Sequence, residues 1–109
     1  MTDATELPRH IVLAMEGKQT LVLRPTTRIA HDAMMDDRYM ITGMGYDSLV
    51  ESTRSAIGLE KILFKTGGWV RYLGGEEHHL EMRLRGMRVA YVQNGSAVDP
   101  RFLEHIVMA

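Results

Sequence analysis

The side chains best suited to chemistry fall in two short runs. His31-Asp32 is followed by Asp36-Asp37. On a helix, Asp32 and Asp36 stand at i and i+4 and share a face. Paired carboxylates beside an imidazole offer donors for a hard cation, or a route for a proton. His78-His79 supplies two further imidazoles. In an extended segment, however, neighbours point to opposite faces, so these two do not chelate one ion together. A metal would need ligands from elsewhere, such as His31, Asp32 or His105. The same spacing also describes an ordinary solvated helix face. It assigns no catalytic residue and no metal ligand, and a small metal-dependent hydrolase ranks third among the functional readings.

Glycine pairs at 67–68 and 74–75 bracket Trp69-Val70-Arg71-Tyr72-Leu73. Such turns can cradle phosphate with backbone N–H groups. No Walker spacing, G-x-G-x-x-G, nucleophile elbow or zinc-protease motif accompanies them. Turns between strands account for these glycines.

The remaining cluster is basic and aromatic: Arg71, Tyr72, Arg83, Arg85 and Arg88. Arginine binds carboxylate and phosphate bidentately and stacks on planar groups. Glu76, Glu77 and Glu81 lie close in sequence and can pair with part of it. These five residues are the expected partner-binding set.

Those side chains need elements to position them. Leu80-Glu81-Met82-Arg83-Leu84-Arg85 alternates apolar and charged residues, the pattern of a half-buried strand. Gly86 permits a reversal, and residues 87–92 read as the returning strand. His10 to Met15 is a continuous apolar run, read as a strand paired with Thr20 to Arg24 through a turn at residues 16–19. Pro25 ends the second strand. A short helix is expected over about residues 28–37, capped by Thr26 or Thr27, with Ile29, Ala33 and Met34 inward. Asp36-Asp37 at its C-terminal end opposes the helix dipole. Residues 39–41 suggest a short strand.

Asp47 or Ser48 opens the preferred second helix, reaching to about residue 65. Leu49, Val50, Thr53, Ala56, Ile57, Leu63 and Phe64 recur near helical spacing. The rival reading stops it at Gly58 and makes residues 59–65 a strand that turns at 66–68 into Trp69–Leu73. Asp99-Pro100 marks a terminal helix start.

The chain has 109 residues, a net charge of −1 and no cysteine. This length makes one domain, residues 10–109, behind a flexible lead at 1–9. Without cysteine there is no disulfide, thiolate metal site or thiol nucleophile. The near-neutral charge gives no global attraction to nucleic acid or membrane. The acidic start lacks the features of a signal peptide, and no apolar run reaches membrane-spanning length. A cytoplasmic location is expected. Nine methionines suit adaptable packing and interfaces.

The expected fold is α+β, an antiparallel sheet of about five strands with two or three helices packed on one face. The expected role is a non-enzymatic accessory or regulatory protein, an adaptor or inhibitor that binds another protein without cofactor or metal. Nucleic-acid binding through an arginine hairpin is the alternative. A homodimer is expected because a small sheet should leave an edge strand open to pairing and an apolar first strand would need cover on both faces.

Overall fold

Strand β1 (Gln19–Arg24) is the axis of the molecule. Its residues 20–23 are all buried, as in a strand covered on both faces. The computed structural model describes residues 7–76, 80–95 and 98–109. Around β1 lie α1 (Arg9–Met15), α2 (Thr27–Gly43), β2 (Val50–Arg54), β3 (Lys61–Phe64), β4 (Trp69–Gly74), α3 (Leu80–Leu84), β5 (Arg88–Val89), β6 (Tyr91–Asn94) and β7 (Val107–Met108). A 3-10 turn covers Pro100–His105, with the Asp99 carboxylate accepting from Arg101 N–H.

The main sheet runs β2-β3-β4-β1-β6. The β2–β3 and β3–β4 pairs are antiparallel, whereas β1 is parallel to both β4 and β6. The sheet is therefore mixed, not antiparallel as expected. β5 and β7 form a separate parallel ribbon.

Helices cover both faces. Val22, Val70, Tyr72, Ile62 and Phe64 meet Ile11 and Ala14 of α1 and Ala30, Met34 and Ile41 of α2. Leu21, Leu23 and Leu73 point the other way, toward Leu80 and Leu84 of α3 and Val98. This alternation is the strand period of two.

Four elements differ from the sequence reading. Residues 9–15 are helix, because a short apolar run fits a buried helix as well as a strand. Ile11 and Ala14 are buried while Val12 is 37 % exposed, and Gly17 turns the chain with φ 97°. The expected hairpin of residues 10–24 is thus α1 followed by β1. The part of the homodimer expectation that rested on an apolar first strand goes with that strand; the part that rested on an edge strand open to pairing is untouched.

Helix α2 runs to Gly43, past Asp36-Asp37 and through the expected strand at 39–41. Its inward stripe is Ala30, Met34, Asp37 and Ile41, and Ile29 is exposed. The long helix expected from residue 49 is instead β2 and β3. Gly58, with φ 85°, adopts a backbone that breaks a helix, and the rival strand–turn–strand reading holds for residues 61–73. Finally, Leu80–Leu84 is helix α3, not the first arm of a hairpin. His78-His79 and part of the 1–9 lead lie outside the described residues. Among the described residues, no helix is long and apolar enough to cross a membrane.

Candidate functional site

Three polar constellations stand out from the apolar packing. The first is internal. Asp37 Oδ2 accepts from His10 Nε2 at 2.8 Å and from the Tyr72 hydroxyl at 2.7 Å. An ionised carboxylate only accepts, so beside one the imidazole donates through Nε2. Burial, then the charge and hydrogen bond of Asp37, push the Tyr72 phenol well above its ordinary value. Nearby, His31 Nδ1 lies 2.9 Å from Glu60 Oε2, and Glu60 Oε1 accepts from Gly58 N–H at 2.9 Å. Glu60 is 1 % exposed. These networks tie α1 and α2 to the sheet and to the β2–β3 connection, and they satisfy carboxylates that would be costly to bury alone.

Asp37 also borders a cavity of about 280 Å³ shared with Arg24, Asp32 and Asp36. Of the residues singled out for metal chemistry, Asp32, Asp36 and Asp37 border it, and His31 and His105 do not join them. His31 turns to Glu60, Asp32 faces Arg28 at 3.7 Å, and His105 lies 3.4 Å from Glu81. Among the described residues, no three His, Asp or Glu side chains gather around a common point suited to a metal.

The second constellation is a groove of about 420 Å³ between α2 and β2, lined by Met35, Arg38, Tyr39, Thr42, Thr53 and Ser55. Arg38 holds its floor. Its Nε donates to Thr53 Oγ1 at 3.1 Å, and Nη1 donates to Thr42 Oγ1 at 3.0 Å and Asp47 Oδ1 at 2.6 Å. The Arg38 guanidinium and Thr42 hydroxyl keep the Asp47 carboxyl below the ordinary carboxylate range. β2 is the outer strand here, bonded among the described residues to β3 alone, and residues 51–54 are exposed. A bulge falls between Val50 and Ser52. Tyr39, Ile57 and Leu59 are all more than half exposed around this edge.

The third constellation lies on the opposite face of the same sheet edge. Arg54 pairs in register with Lys61, and Lys61 with Arg71. Three cations thus stand side by side across β2, β3 and β4. The Lys61 ammonium sits 5.3 Å from the Trp69 ring centroid. Burial, then the charges of Arg71 and Arg54, hold Lys61 below the ordinary lysine value.

Of the five expected partner-binding residues, the structure brings two to this region. Arg71 is in the row, and Arg83 donates to the Gly58 carbonyl at 2.8 Å, in the β2–β3 connection. Arg85 is instead near Glu81 at 3.5 Å, and Arg88 lies on the β5–β7 ribbon. Tyr72 is fully buried and offers no surface to a partner. Arg54 and Lys61 were missed because the preferred helix placed them on its solvated side. Residues 61–64 alternate in burial but not in polarity, so the sequence held no period-two signal for Lys61.

No protein-family model, curated protein or solved structure matches the chain. The fold and these constellations carry the functional argument alone.

Proposed function

We propose that this protein is a binding module of the adaptor or inhibitor kind, which takes up an extended segment of another protein along β2. The observation that carries the reading is the open edge of β2 beside the groove against α2. An edge strand presents unpaired N–H and C=O groups, and an incoming strand satisfies them by extending the sheet. Alternate side chains of that segment would turn into the groove, where Met35 and the exposed Tyr39 give an adaptable apolar wall. Arg38 favours this use because it fixes α2 to β2 before any partner arrives. A preformed groove spares the ordering cost that weakens flexible binding sites.

Selection from a randomised displayed-peptide library, followed by NMR titration of the isotope-labelled protein with the enriched peptides, tests this. The expected result is shift changes concentrated at Val50–Arg54, Met35 and Tyr39. Enriched peptides that perturb only other surfaces, or no enrichment at all, would overturn the reading.

A further inference from the structure

We infer that the strand taken up by β2 carries an acidic side chain opposite Arg54, so that partner choice is made by charge on the face away from α2. This rests on the edge-binding reading and goes beyond it by naming the partner's chemistry. The argument begins with the register. Arg54, Lys61 and Arg71 occupy directly opposed positions on three adjacent strands. Like charges in that relation destabilise a sheet. Some relief is internal, since Trp69 lies against Lys61 and Arg71 is already engaged. Arg54, at the outer end of the row and exposed, makes no ion pair among the described residues.

The row sits on the less deeply buried face of this part of the sheet. Leu63, Trp69 and Arg71 on that face are only half-buried, whereas Ile62, Val70 and Tyr72 on the α2 face are buried. The next strand position outward from Arg54 belongs to the incoming segment. Its residue in register with Arg54 would share the cationic face, with Cβ atoms about 5 Å apart. A carboxylate there ends the row with the opposite charge. A lysine or arginine there would lengthen the repulsion. The bulge and the charges of β2 are devices that protect an edge from indiscriminate pairing. Here they leave an edge that discriminates by sign.

Three synthetic peptides of alternating Thr and Val, with Glu, Gln or Lys at the centre, test this by NMR titration of the full chain. The Glu peptide should bind more tightly than the Lys peptide by roughly threefold or more, and the gap should narrow at high salt. Arg54→Glu should reverse the order, and Arg54→Gln should level it. Equal binding of all three at Val50–Arg54 would overturn the inference while the edge-binding reading stands. Failure of every peptide to perturb Val50–Arg54 would remove both. A mixed-sequence oligonucleotide that perturbs Arg54 and Lys61 more strongly than the Glu peptide, with a steep salt dependence, would overturn the inference in favour of a nucleic-acid face.

Discussion

Tyr72 and Asp37 meet in the core, the phenol of β4 donating to Oδ2 of the α2 carboxylate at 2.7 Å. That oxygen also holds His10 at 2.8 Å, so one carboxylate joins α1, α2 and the sheet. Tyr72→Phe removes one hydrogen bond to a charged acceptor and should cost about 1.5–3 kcal/mol. Asp37→Ala strands two buried donors, each worth about 1–3 kcal/mol, and should cost more. Urea unfolding of both variants checks the order; equal costs would mean that His10 finds another partner.

The same phenol sets an alkaline limit. Its folded value is raised above 10.0, so the unfolded chain releases the Tyr72 proton first. The stability contribution is therefore complete below pH 10.0 and is lost as pH rises toward the folded value. Wild type should lose stability more steeply than Tyr72→Phe above that pH. Parallel slopes in thermal melts across the alkaline range would contradict this.

Helix α3 is where local pattern misled. Leu80 and Leu84 are inward in either reading, because a separation of four fits both a strand face and a helix face. Met82 decides between them: a strand would bury it, and here it is 72 % exposed. Met82→Lys should change stability within about 0.5 kcal/mol, as a surface substitution. Leu84→Ala should cost about 2–5 kcal/mol. A large cost at Met82 would restore the strand.

What could be read from the sequence follows the same logic. Thr20–Arg24 and Trp69–Leu73 were legible because Pro25 and the glycines at 67–68 and 74–75 bound them. The start at Asp99-Pro100 was legible from its cap. The α1 run was not, since apolar continuity carries no period. Parallel pairing of β1 with β4 and β6 was not, since it depends on contacts far apart in the chain. Of the site, Arg71 and Arg83 were singled out, but the row they approach exists only once β2, β3 and β4 are in register.

Glycine at 68 is required by contact. A Cβ there would fall 1.9 Å from the Ala14 carbonyl oxygen, forcing α1 away from the turn before β4. Gly68→Ala should destabilise by about 1–3 kcal/mol or more. A melting temperature matching wild type would show that α1 is not seated there.

The loss of the apolar first strand removes one reason for a second copy, while the edge of β2 keeps the other. Light scattering at micromolar concentration should give a mass near 12.4 kDa. Twice that mass would mean that a free surface, such as β2, is already taken by a second subunit.

Amide hydrogen exchange at β2 tests the central claim most directly. In the free protein, the outward N–H groups of residues 51–54 should exchange quickly, because among the described residues β2 pairs with β3 alone, while the Val50 N–H is held by the Asp47 carbonyl. Addition of the Thr/Val peptide with a central Glu should slow alternate amides of that strand, the signature of a new ladder. A bound peptide that leaves Val50–Arg54 exchanging as before, with protection elsewhere, would contradict the account.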